Sequence, residues 1–237
     1  MFVVAGVSGR TGAAVADALL AAGSAVRVIV RDEPKGAPWR GRGAEVAVAD
    51  LADEVALGRA LEGAAGAYLL CPTDMRSADY IAQSRTLVDA VAAAVARSGL
   101  RHLVFLSSTG AQQAEGTGAI RVLHHAEARL GTLPHGTTFL RAAYLLENWA
   151  AVLDAARGGT WPTFIRPDRV MPMVATRDIA AAAARALLDG PPEAEHEIIE
   201  LAGPREISPR EIAAILAELL GRPVVAQPVP LDAVVPV

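Results

Sequence analysis

Short, nearly continuous apolar runs alternate along this chain with longer stretches that read as helices and stop at glycine. FVVA at 2–5, AVRVIV at 25–30, EVAVA at 45–49, AYLLC at 67–71, HLVFL at 102–106 and TTFLR at 137–141 have strand character. The stretches 11–22, 53–62, 77–97 and 119–130 have helical character, with Gly23, Gly63, Gly99 and Gly131 where helices should end. Steady alternation of strand and helix is the pattern of a parallel sheet with helices on both faces. Strands buried on both faces lose the apolar-polar alternation of a half-wet sheet, and these have lost it. The expected fold is therefore α/β, a doubly wound parallel sheet.

After residue 141 the rhythm loosens. A helix is expected at about 144–157, then a turn over GGTWP at 158–162, a strand VMPMVA at 170–175, a helix at 177–188 and a proline-rich turn at 190–192. A strand EIIELAG at 197–203, a helix at 209–220 and an extended PVVAQPVP complete it. Ser208, Pro209 and Glu211 stand at N-cap, N1 and N3 of the 209–220 helix, a capping box. The organisation expected is one sheet domain over 1–143 and a smaller α+β substrate lobe over 144–237, packed on the first and not independent of it.

Composition removes several function classes. The net charge is −4, and of 22 basic residues Lys35 is the only lysine, the arginines being scattered and not clustered, so no nucleic-acid face is expected. One cysteine, Cys71, excludes a disulfide or a cysteine-based zinc site within the chain, and no metal site is expected. No basic segment precedes the apolar start, and Gly6 interrupts it, so it does not read as a secretory signal. LVDAVAAAVA at 87–96 is too short to span a bilayer. The expectation is a cytoplasmic protein with no membrane partner.

The first strand runs into VSGRTG, which places Gly6, Gly9 and Gly12 three apart at the mouth of the first helix. Glycines there let backbone N–H groups and the positive helix end approach a pyrophosphate, in a Rossmann-like arrangement. At the end of the second strand, a site for NAD usually has an acid that accepts from the ribose hydroxyls, whereas NADP needs a cation for its additional phosphate. Arg31 ends that strand, Asp32 comes after it, and Arg10 lies in the glycine loop, so the cofactor expected is NADP (NADPH). Asp50 and Leu51, after the third strand, would meet the adenine; Cys71, Pro72 and Thr73, after the fourth, lie near the cofactor's middle.

Several segments together resemble the NmrA-like family of atypical short-chain dehydrogenases/reductases, the NAD(P)-binding quinone-reductase and redox-sensor group. They are GVSGRTG at 6–12, VRD at 30–32, ADL at 49–51, the Ser107-Ser108 pair, FLRAAYLLENW at 139–149, MPMVATRDIA at 171–180 and ELAGPREISPREIAAIL at 200–216. The resemblance implies that Gly6, Ser8, Gly9, Arg10, Thr11 and Gly12 hold the pyrophosphate, Arg31 the 2′-phosphate, and Asp50 and Leu51 the adenine. It further implies that Ser107 stands near the nicotinamide, that Ala142, Ala143 and Tyr144 border it, and that Asn148 anchors the adjoining segment of chain. Ala142 and Ala143 stand where the family pattern has proline and glycine.

The Tyr-x-x-x-Lys pair of standard short-chain dehydrogenases is absent, because four residues beyond Tyr68, Tyr80 and Tyr144 stand Pro72, Ser84 and Asn148. Many family members also keep a lysine four residues before a glutamate of the fifth helix; with Glu127 as that glutamate, Leu123 replaces it. Tyr144 and Ser108 are the candidate catalytic groups, with Thr109 and His124 or His125 nearby. Adjacent on a helix, the two histidines point about 100° apart, so at most one can face the site, and a solvated face is the expected home of both. Trp39, Trp149 and Trp161 are expected to pack in cores. Two readings stay open: hydride transfer from NADPH to a small quinone or carbonyl, as monomer or homodimer, or a non-catalytic NADP(H) redox sensor that regulates a protein partner.

Overall fold

The computed structural model describes residues 1–72, 77, 79–134 and 136–230. In chain order the elements are β1 (Phe2–Val4), α1 (Arg10–Ala21), β2 (Val26–Val30), α2 (Ala37–Arg40), β3 (Glu45–Val48), α3 (Glu54–Leu61), β4 (Gly66–Leu70), α4 (Tyr80–Ser98), β5 (His102–Ser108), α5 (Arg121–Leu130) and β6 (Gly136–Ala142). They continue as β7 (Tyr144–Leu145), α6 (Leu153–Arg157), β8 (Thr160–Thr163), β9 (Met173–Val174), α7 (Thr176–Asp189), β10 (His196–Leu201), α8 (Pro209–Leu220) and β11 (Val225–Pro228).

Seven strands form one sheet in the order β10-β6-β5-β4-β1-β2-β3, every pair parallel. The order reverses between β1 and β4, and in such a sheet a ligand binds outside the carboxyl ends of the strands at that reversal. Side chains alternate across the sheet and build two cores. Leu103 and Phe105 face the layer of α3, α4 and α5, while Val104 faces α1 and α7. Trp39 closes the second of these cores near α2 and stacks under the Arg42 guanidinium, 4.8 Å from its ring centroid.

The chain divides into two compact units, Met1–Ala142 with Thr176–Leu201, and Ala143–Ala175 with Ala202–Val237. This differs from one boundary at 143/144. The strand expected at 197–203 in the smaller lobe is β10, which pairs with β6 from His196↔Thr137 to Leu201↔Ala142, and α7 lies against α1. The sheet recruits them because β6 would otherwise be an edge with its backbone groups unpaired.

The second unit has its own core around Trp149, Trp161, Met173 and Ala213. The expected helix at 144–157 is instead β7, a 3-10 segment at Leu146–Val152 and the short α6. Trp149 and Trp161 meet there with ring centroids 5.1 Å apart, and burying that pair outweighs the local preference for a continuous α-helix. GGTWP is not only a turn: Thr160–Thr163 forms β8, which pairs in parallel with β11. Of the strand expected at 170–175, Met173–Val174 pairs with β7, and Met171 makes an isolated bridge to Ile207. The capping box at the start of α8 forms as expected, Ser208 and Glu211 each bonding the other's backbone N–H.

Among the described residues no helix is long and apolar enough to cross a membrane, and no group of three or more His, Cys, Asp or Glu side chains could hold a metal ion.

Candidate functional site

At the reversal of strand order the glycine loop leaves β1 and enters α1. Gly6 takes a left-handed φ of 71°, and Gly9 N–H bonds back to Gly6 O at 2.9 Å. Gly12 is required for another reason: a Cβ there would stand 2.3 Å from Ala5 O and 2.5 Å from Gly6 C and O, all backbone atoms. The first turn of α1 therefore sits directly on the end of β1.

The start of α1 differs from those of α3, α4 and α8. Asp53, Asp79 and Ser208 cap those helices with side-chain oxygens, whereas Gly9 offers α1 no cap, and the first turn of α1 contains no acid. Its leading N–H groups and positive dipole end remain available to an anion.

A cavity of about 560 Å³ opens beside this loop, within the range of small-molecule sites. Gly6, Val7, Ser8, Gly9 and Thr11 line it at one end; Arg31, Lys35, Asp50 and Leu51 line it at the other, and Leu70 and Pro72 lie past β4. The Asp50 carboxylate is partly engaged, accepting from Ala52 N–H at 2.9 Å. Tyr80, Gln83, Ser84 and Leu87 of α4 also form its wall, and none of these was a sequence candidate. Helical periodicity marks α4 as amphipathic without saying that its first turns face a ligand.

Lys35 is the more telling omission. It is exposed, lines the cavity with Arg31, and its Nζ stands 2.6 Å from Asp32 Oδ2. The bond to Lys35 holds the Asp32 carboxyl below its usual range, and Asp32 itself does not line the cavity. The β2 end therefore presents two cations inward, and its acid is engaged by one of them.

Other candidates fall differently. Arg10 and Gly12 do not line the cavity, Gly12 acting through packing. Cys71 does not line it either; its side chain packs against the core of α3, α4 and α5, and burial pushes its thiol up to about 11 despite a bond with Ser84. Thr73 lies outside the described residues. Ser107 and Ser108 end β5 on opposite faces: Ser107 Oγ is buried and donates to Glu127 Oε1 at 2.6 Å, and Ser108 Oγ donates to Thr109 O at 3.1 Å. Ala142 and Ala143 are buried. Tyr144 belongs to the second unit, where it packs against Trp149 and bonds Asn148, with burial raising its phenol above the ordinary value.

Beside Ser107 lies a charge network that no sequence motif announces. Arg141 of β6 donates to both Glu127 oxygens, at 3.0 and 2.6 Å, and to Glu200 of β10 at 3.2 Å. Ser107, Arg141 and Glu200 are register partners across three adjacent strands. The two histidines of α5 part company, His125 lying on a flank open to solvent and His124 turning toward the chain after β5. His125 and Arg129 share one flank and both meet Asp89 of α4, while half-buried His124 lies on the flank of Glu127 and bonds Ala111 O at 2.8 Å.

The model of the NmrA-like family matches residues 1–237. The chain belongs to this family. It is 30% identical over 98% of its length to a (4-alkanoyl-5-oxo-2,5-dihydrofuran-3-yl)methyl phosphate reductase of Streptomyces griseus, covering 78% of that protein. Among solved structures it is similar to the NADPH-dependent quinone oxidoreductase of Escherichia coli in complex with NADPH (TM-score 0.82, 26% identity, 97% of this chain and 78% of that one). It shares its fold with the Citrobacter triphenylmethane reductase complexed with NADP(H) (TM-score 0.85, 23% identity, 98% and 80%). The Rossmann-like sheet is common to these structures.

Proposed function

We propose that this protein is an NAD(P)H-dependent oxidoreductase that uses NADPH to reduce a small quinone or carbonyl compound. The observation that carries the reading is the cavity between the uncapped start of α1 and the Arg31–Lys35 pair. The reductases to which the chain is similar support the reaction class.

The residues fit the cofactor. Gly6, Ser8, Gly9 and Thr11 would bind the pyrophosphate through loop N–H groups and hydroxyls. Arg31 and Lys35 would share the 2′-phosphate, and Leu51 with Leu87 would enclose the adenine. A bound nicotinamide cofactor would supply a hydride. The chain's own contribution is placement: holding the acceptor against the nicotinamide supplies much of the rate without a Tyr-Lys pair.

Titration with NADPH and NADH, repeated on Arg31→Ala, tests the cofactor; equal affinities unchanged by the substitution would overturn the NADP assignment. NADPH oxidation with a panel of quinones and aldehydes tests the reaction. Binding without turnover across the panel would leave a redox sensor as the reading.

A further inference from the structure

We propose that His124 is the proton donor for the reduced acceptor, the role that the absent Tyr-Lys pair leaves open; this rests on the reductase reading above. Reduction of a carbonyl needs two deliveries. A hydride forms a new C–H bond at carbon while the C–O π bond breaks and leaves its electron pair on oxygen; a proton must then reach that oxygen. The hydroxyls at the β5 exit are poorly placed to give one, since Ser107 donates to Glu127 and Ser108 to a backbone carbonyl.

His124 does not line the cavity described above; what suits it to the task is the fixing of its ring near the end of β5. A carbonyl oxygen can only accept, so the 2.8 Å bond between Nδ1 and Ala111 O means that Nδ1 carries the proton. Nε2 is then the nitrogen left uncommitted by that bond, and it meets no hydrogen-bond partner among the described residues. The ring is tied to the tip of β5 through the backbone, because Ala111 N–H donates to Ser108 O at 3.0 Å and Ala111 is fully buried. Its helix is tied a second time where Glu127, three residues on along the same flank, takes Ser107 and Arg141.

These two attachments put the imidazole beyond the carboxyl end of β5, the edge at which such a sheet binds its ligand. The other described histidines are elsewhere: His102 and His196 begin β5 and β10 at the opposite edge, and His125 faces Asp89 of α4. In the proposed step an imidazolium gives its Nε2 proton to the alkoxide and keeps the N–H pair as its lone pair. The nicotinamide is oxidised by two electrons, the carbonyl becomes an alcohol, and water reprotonates the ring.

The test separates acid catalysis from a merely structural tie. His124→Asn retains a side-chain N–H that can donate to Ala111 O and removes the acid; His124→Ala removes both. Two acceptors are compared, an aromatic aldehyde, whose oxygen needs a proton, and a triarylmethyl cation dye, which takes a hydride and needs none. We expect His124→Asn to lower kcat on the aldehyde by about 100-fold, to leave the dye within about twofold, and to leave NADPH affinity by direct titration unchanged, with added imidazole restoring part of the aldehyde rate in His124→Ala. Independently of turnover, imidazole ¹⁵N spectra of the NADP⁺-saturated wild type should keep a protonated Nδ1 while the Nε2 signal moves on adding benzyl alcohol. Wild-type aldehyde turnover in His124→Asn, equal losses on both acceptors, or an Nε2 signal that ignores the alcohol would each overturn the proposal. A wild type that binds NADPH yet reduces neither acceptor fails the reductase reading first, and the role of His124 falls with it.

Discussion

Replacing Arg141 by methionine should be among the most damaging single changes available outside the apolar cores. The guanidinium makes two bonds to Glu127, at 3.0 and 2.6 Å, and both side chains are nearly buried, at 12% and 11% exposure. Those bonds hold Arg141 firmly protonated. Methionine fills much of the same volume, so the loss is electrostatic: a carboxylate is left in a poorly hydrated place with the Ser107 hydroxyl as its remaining bonded partner. Breaking a buried pair from one side costs about 3–5 kcal/mol. The third member, Glu200, is 54% exposed, and such a contact contributes about 0.2–1 kcal/mol.

Urea unfolding followed by far-ultraviolet circular dichroism measures this directly. With a slope of about 3 kcal/mol/M, Arg141→Met should lower the midpoint by about 1–1.7 M and Glu200→Gln by no more than about 0.3 M. The double variant Glu127→Gln/Arg141→Met should recover about half of the loss, because the stranded charge has gone. A midpoint drop for Arg141→Met as small as that for Glu200→Gln would refute the reasoning and mean that water reaches the pair freely.

Three further outcomes are expected at the site. Gly12→Ala forces a Cβ onto the Ala5 and Gly6 backbone, so about 1–3 kcal/mol of overpacking should lower the urea midpoint by about 0.3–1 M, and a wild-type midpoint would contradict the close packing of α1 on β1. Lys35→Ala should weaken NADPH by about 10- to 100-fold, the worth of a charged hydrogen bond, with NADH affinity unchanged; a parallel loss for both nucleotides would place Lys35 away from the 2′-phosphate. Cys71, its thiol raised to about 11 by burial, stays protonated well into the alkaline range, so its alkylation by iodoacetamide should be slow at pH 8 and climb as pH rises toward 11; rapid labelling at pH 8 would contradict the burial.

The sequence drew attention to residues of the cavity lining where they lie close together along the chain. The glycine loop could be read because its residues are consecutive and their backbone demands are their own, and Arg31 because it ends a strand whose position is set by the loop. Lys35 could be assigned to the region after the second strand, at the adenosine end, but not to the binding residues, because only the fold of that segment brings it onto the cavity. Cys71 was counted in because it follows the fourth strand together with Pro72; Leu70 and Pro72 line the cavity, and strand alternation turns the Cys71 side chain the other way. His124 needed a contact thirteen residues away, with Ala111, to leave the solvated surface.

By itself the sequence determined the α/β class, the parallel sense of the sheet and the anion-ready entry to α1, all of which rest on periodicity and on backbone freedom at neighbouring positions. Tertiary structure decided which strands lie side by side, and with that the fate of the charges. Glu200 joins Arg141 only because β10 returns to the open edge of β6, and Thr160–Thr163 becomes a strand only because β11 supplies a partner. A strand's hydrogen bonds are completed by another segment, here some sixty residues distant along the chain, and no local pattern names that partner.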